Sequence, residues 1–141
     1  MTNEEFWKHE WEKHGNCSVS VLPQKKYFNA NLLLKDKTKI LETLKYAGIT
    51  PDDKKHSLRL IQKTLRDEVK FTPLIKCNTN GPDPTPELYE IYFCVDPKGE
   101  KFIDCPPDAV KNFKTGCGDG KPDIKFPIYK RHDHVLNDID E

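Results

Sequence analysis

Apolar residues at Leu58, Ile61, Leu65 and Val69 recur at i, i+3, i+7 and i+11, which predicts a helix over 57–69 with one buried stripe. Three shorter helical patterns precede it. Residues 3–14 read as a helix opened by a capping box from Thr2 to Glu5 and stopped at Gly15. Residues 24–34 form the second, with Tyr27, Phe28, Ala30, Leu33 and Leu34 on a shared face. Residues 37–47 form the third, with Ile40, Leu41 and Leu44 inward and Gly48 at its end. A loop over 16–23 and a turn over 49–53 connect these elements.

After Phe71 the period changes. Residues 73–77 predict a short strand and 78–86 a loop rich in Gly, Pro, Asn and Thr. Over 87–95, Leu88, Glu90, Tyr92 and Cys94 alternate with Tyr89, Ile91, Phe93 and Val95, so the segment reads as one long strand. A Pro97-Lys98-Gly99 turn leads to a hairpin partner at 101–105. Residues 106–123 read as irregular, 124–127 as a short edge strand, and 128–141 as a polar, disordered tail. The pattern shows no internal repeat and no domain boundary.

Composition narrows the partners. Of 141 residues, 35% are hydrophobic and 33% charged, with 23 Lys+Arg against 23 Asp+Glu. This balance gives no global basic field, so polyanion binding would have to be local. No apolar run reaches membrane-spanning length, and Met1–Glu5 does not read as a secretory signal. Five cysteines (Cys17, Cys77, Cys94, Cys105 and Cys117) suggest a disulfide framework made in an oxidising compartment, with Cys17 either a free thiol or without its partner. None stands in a Cys-x-x-Cys pair, which makes zinc the weaker reading.

The chemistry concentrates at 6–18. Within six positions stand His9, Glu10, Lys13 and His14, flanked by Phe6, Trp7 and Trp11. At ~100° per residue, His9, Lys13, Glu10 and His14 fall at about 0°, 40°, 100° and 140°, sharing one arc beside a Trp7–Trp11 stripe. A zinc helix of the His-Glu-x-x-His type needs histidines at i and i+4. His9 and His14 are at i and i+5, about 140° apart on an α-helix, so no metal is expected. His132 and His134 read as solvated tail residues, and His56 as the start of the fourth helix. Two imidazoles, a carboxylate and an ammonium suit cleavage of RNA at its own 2′-hydroxyl. That reaction needs a base, an acid and positive charge on the phosphate oxygens.

The segment Phe-Trp-x-His-Glu-Trp-x-Lys-His-Gly-x-Cys at 6–17 closely resembles the second of two active-site segments of the ribonuclease T2 family, most like its plant S-like members. The resemblance continues through Tyr27-Phe28, 46–49, 72–78 and 88–96, covering about 4–127. It implies a partial α+β domain over 1–127, with helices packed on an antiparallel sheet, single-stranded RNA as partner, and cleavage through a 2′,3′-cyclic phosphate to 3′-phosphate ends. It implies no cofactor, a monomer, and a secreted or vacuolar location. By position, His14 resembles the general base, Glu10 and Lys13 the pair that stabilises the pentacovalent phosphate, His9 a phosphate-contacting histidine, and Phe6 a base-stacking aromatic. The family pattern pairs Cys77 with Cys117 and Cys94 with Cys105. In the family the partner of Cys17 lies upstream.

The family's first segment, His-Gly-Leu-Trp-Pro, occurs nowhere in these 141 residues. The expectation is therefore a C-terminal portion without the N-terminal strands, carrying half the catalytic apparatus and weakly active or inactive. A non-catalytic RNA-binding or storage-type relative is the alternative. Asn16-Cys17-Ser18 formally matches a glycosylation sequon.

Overall fold

The computed structural model describes residues 1–79, 83–120 and 122–128. The tail from 129, with His132 and His134, lies outside the described residues. Helix α1 (Asn3–Glu10) starts as the capping box predicts: Glu5 N–H donates to Thr2 Oγ1 at 3.2 Å, and Thr2 N–H to Glu5 Oε2 at 2.8 Å. It does not continue as an α-helix to 14. A π-helical turn takes over at Trp11–Gly15, where Asn16 N–H donates to Trp11 O five residues back, and a 3₁₀ turn follows at Asn16–Ser18. Gly15 has φ −101°, so it is not the left-handed stop its position suggests.

Helix α2 (Gln24–Thr38) is longer than predicted, and Lys39, at φ 38°, makes a sharp joint to α3 (Ile40–Tyr46). Leu34 and Leu44 are buried, whereas Leu41 is 66% exposed against its expected inward placement and Leu33 is 64% exposed although expected to share a face with Leu34. Tyr27, Phe28, Ala30, Leu33 and Leu34 span about 220° of a helix, too wide an arc for one buried stripe. Helix α4 (Leu58–Val69) buries Ile61 and Leu65 as its period requires, capped by Ser57 Oγ accepting from Leu60 N–H at 3.3 Å.

The sheet runs β1 (Lys55–Ser57), β6 (Asp123–Lys125), β3 (Glu87–Tyr92), β2 (Leu74–Asn78) in space. Strand β6, expected at an edge, is interior: it pairs antiparallel with β1 and parallel with β3, and Pro127 falls beyond the paired residues. Lys125 bridges that parallel pairing, with Nζ 3.1 Å from Glu87 Oε1 and 3.6 Å from Asp83 Oδ2. His56 belongs to β1, opposite Ile124, and its Nε2 lies 2.9 Å from Asp52 Oδ1. This contact holds the Asp52 carboxyl below its usual pKa.

Between β2 and β3 the register slips: Lys76 faces Glu90 while Cys77 faces Leu88, leaving Tyr89 as a bulge. The bulge breaks the strict alternation expected there, so Leu88 and Ile91, three apart, both pack on the core. The long strand also divides. Strand β4 (Cys94–Val95) leaves the sheet and pairs with β5 (Phe102–Ile103) as a separate hairpin. A short helix α5 (Pro107–Asn112) occupies part of the stretch read as irregular, with Pro at its start and Asp108 in its first turn.

The core is Leu44, Ile49, Ile61, Leu65, Ile75, Cys77, Cys117 and Ile124, between α3, α4 and the sheet. Disulfides join Cys77 to Cys117 and Cys94 to Cys105, with Cα atoms 4.9 and 5.1 Å apart, the two pairings the resemblance implied. Cys17 is free and exposed. Helices and an antiparallel-rich sheet make this an α+β fold.

Candidate active site

Helix α1 buries none of its residues and is held by rings. Trp7 stands edge-on to Phe28 at 4.7 Å, Trp11 edge-on to Tyr27 at 5.6 Å, and Phe6 edge-on to Trp7 at 5.4 Å. Such pairs contribute ~0.5–1.5 kcal/mol each beyond burial. The Tyr27-Phe28 step of α2 is thus the platform on which the helix rests. Trp7 and Trp11 both contact the α2 rings, Trp11 half-buried and Trp7 still 43% exposed, close to the 44% of Phe6.

The polar face follows from that anchoring. His9, Lys13 and His14 are exposed and Glu10 is half-buried. Among the described residues none of the four forms an ion pair. The π turn changes their angular relation. A turn closed by i to i+5 hydrogen bonds holds more than 3.6 residues, so each residue advances less than 100°. His9 and His14 therefore lie closer in angle than the 140° of a regular α-helix. Among the described residues, no group of three or more His, Cys, Asp or Glu could hold a metal ion.

His14 opens into a cavity of about 250 Å³ between the π turn, α2 and the β4–β5 hairpin. Its wall brings His14 together with Cys17, Tyr27, Asn31 and Asp96, whereas His9, Glu10 and Lys13 are not among its lining residues. Asp96 Oδ1 accepts from Glu100 N–H at 2.8 Å and Lys101 N–H at 3.0 Å. The Lys101 bond, helped by that of Glu100, holds its carboxyl below the usual range, so an ionised carboxylate lines the cavity that His14 also lines. Sequence reasoning missed Asp96 as a wall residue. Its one local signal was the Asp-Pro-Lys-Gly turn, which reads as hairpin chemistry.

The structure thus carries two histidines, a carboxylate and a lysine on one aromatic-anchored helical segment of a disulfide-clamped α+β domain. The Ribonuclease T2 family profile matches residues 1–105. Ribonuclease 1 of Arabidopsis thaliana is 47% identical over 128 residues, covering 91% of this chain and 52% of that protein. Extracellular ribonuclease LE of Solanum lycopersicum is 41% identical, covering 88% and 51%. The crystal structure of RNase NT in complex with 5′-AMP superposes with a TM-score of 0.75 at 39% identity, covering 87% of this chain and 57% of that one. The chain belongs to the ribonuclease T2 family. It spans about half the length of the relatives it matches.

Proposed function

We propose that this chain carries the second active-site segment of a T2-type endoribonuclease acting on single-stranded RNA through a 2′,3′-cyclic phosphate to 3′-phosphate ends. The observation that carries the reading is His14, exposed on an aromatic-anchored helical segment and lining a cavity of about 250 Å³. In this reading His14 takes the proton of the 2′-hydroxyl as it attacks phosphorus. Lys13 and Glu10 stabilise the charge that builds on the non-bridging oxygens, Lys13 as a cation and Glu10 by sharing a proton. His9 contacts a phosphate, and half-exposed Phe6 stacks on a base. The chemistry calls for no metal.

Among the described residues, His14 is the one histidine lining its cavity. In-line displacement needs an acid for the 5′-oxygen on the side of phosphorus opposite the base. A polypeptide of these 141 residues is therefore expected to cleave weakly or not at all. The same observation favours the second reading, an RNA-binding or storage-type relative that holds RNA without turnover. Two disulfides support a secreted or vacuolar setting.

Incubation of the purified chain with single-stranded RNA, beside His14→Ala, tests both readings. Slow or absent cleavage with measurable RNA affinity is expected. Robust cyclic-phosphate formation abolished in His14→Ala overturns the low-activity reading, and absence of both affinity and cleavage overturns the assignment to RNA.

A further inference from the structure

Beside the His14 cavity lies a second hollow of about 360 Å³, between α2 and the turn that joins β4 to β5. Lys26, Lys37 and Lys98 line it over an apolar floor that includes Leu33 and Leu34. The two hollows share the wall formed by Leu22, Ala30, Leu34 and Gly99. We propose that this groove is a second binding surface for single-stranded RNA, holding phosphates that lie beyond the one at His14. The proposal rests on the ribonuclease reading of His14.

Charge complementarity names the occupant. The whole chain is neutral, and Lys8, Lys39, Lys63, Lys76 and Lys125 are each paired with a carboxylate. Among the described residues, Lys26, Lys37 and Lys98 form no ion pair, and the one carboxylate in the groove wall is Glu100. Three ammonium groups outside any ion pair, against the single carboxylate of Glu100, leave this hollow with a local excess of positive charge on a molecule that has none overall.

Helical geometry makes the array linear. Lys26 and Lys37 are eleven residues apart on α2, which at ~100° per residue returns to within about 20° of the same face. At ~1.5 Å per residue they stand about 16 Å apart along the axis, with Lys98 facing them from the hairpin turn. A row of cations along a groove suits the repeated charge of a phosphodiester strand better than a single anion. The aliphatic floor offers the bases a surface away from water. A strand leaving His14 crosses the Ala30–Gly99 wall to enter the groove.

The test is fluorescence anisotropy of the full chain with a labelled 2′-O-methyl RNA twelve-mer and a 2′-O-methyl dinucleotide, across a salt series. Each phosphate contact on a single strand contributes about 0.7 to the slope of log affinity against log salt. The Lys26→Gln/Lys37→Gln/Lys98→Gln variant should lose about 2 units of slope with the twelve-mer and bind the dinucleotide unchanged. Lys45→Gln/Lys111→Gln/Lys114→Gln, outside the groove, should keep the full slope. Equal slopes for the groove variant and the unaltered chain overturn the groove and leave the His14 reading standing. Failure of the unaltered chain to bind either oligonucleotide overturns both. Competition by polyglutamate as effective, charge for charge, as by RNA overturns RNA as the occupant in favour of an acidic protein segment.

Discussion

Gly15 lies under the indole of Trp11. A Cβ at this position would stand 2.8 Å from Trp11 Cζ3, nearer still to Cε3, and 3.1 Å from Tyr27 Cε1. The backbone at Gly15 is one any residue adopts, so it is the ring above that demands glycine. The π turn carries Gly15 under Trp11, and His14 and Cys17 beside it line the same cavity as Tyr27, Ala30 and Asn31 of α2. The anchoring of the helix and the placement of His14 are one packing event.

Gly15→Ala should therefore lower stability by about 1–3 kcal/mol, the usual cost of forcing an added methyl into a packed contact. The midpoint of urea unfolding, followed by tryptophan fluorescence, measures it. Shrinking the ring with Trp11→Leu in the same chain should recover part of the loss attributable to the clash in a double-mutant cycle. An unchanged midpoint in Gly15→Ala would contradict the close contact.

The two disulfides differ in the loops they close, with sequence separations of 40 for Cys77–Cys117 and 11 for Cys94–Cys105. Loop-closure entropy predicts about 4 kcal/mol for the first and about 3 kcal/mol for the second. Cys77 and Cys117 also belong to the buried core, so replacing both by Ala leaves a void where the hairpin pair does not. Denaturant unfolding of the two double-alanine variants should rank Cys77→Ala/Cys117→Ala as clearly the less stable. The reverse order would place the weight of the fold on the hairpin.

Tyr92 donates to Glu90 Oε2 at 2.5 Å, and this bond, with burial behind it, pushes the phenol up to about 12. The raised value means that the neutral phenol is favoured in the folded chain. Its contribution is complete below the ordinary tyrosine range near 10 and fades as pH climbs toward 12. The Tyr92–Phe113 and Lys76–Glu90 contacts should hold the group in place as it titrates. Absorbance titration near 295 nm should therefore show a late phenol that Tyr92→Phe removes. A titration curve that is the same in the two proteins would refute the hydrogen bond.

Long periodic elements were legible in the sequence, and features that depend on a single residue's register were not. Helix α4 follows from four apolar positions, and Thr2–Glu5 marks the start of α1 because both halves of a capping box are local. Strands β1 and β6 have three residues each, too few to express a period, and are fixed by pairing with distant segments. The bulge at Tyr89 inverts the inward set of β3 halfway along, which no alternation rule anticipates. In the site, the crowding of His9, Glu10, Lys13 and His14 was visible, as was the tryptophan stripe. The π turn was not, because the packing of Trp11 on Tyr27 and Gly15 across two helices selects it.

Gly99 is the second close approach that shapes the site. A Cβ there would meet Ala30 Cβ at 2.8 Å and Leu22 Cδ2 at 3.1 Å, and φ is +67°. Gly48 has a similar φ of +76° with nothing within 4 Å, which makes it the control for backbone strain alone. Gly48→Ala should cost about 1–2 kcal/mol, the price of a left-handed residue with a side chain. Gly99→Ala should cost about 1–3 kcal/mol more, because the hairpin must move off α2. That movement parts the wall shared by the His14 cavity and the lysine groove, so Gly99→Ala should also weaken binding of the 2′-O-methyl twelve-mer, while Gly48→Ala leaves it intact. Equal losses of stability in the two variants would mean that the hairpin does not dock on Ala30, and the shared wall between the hollows would fall with it.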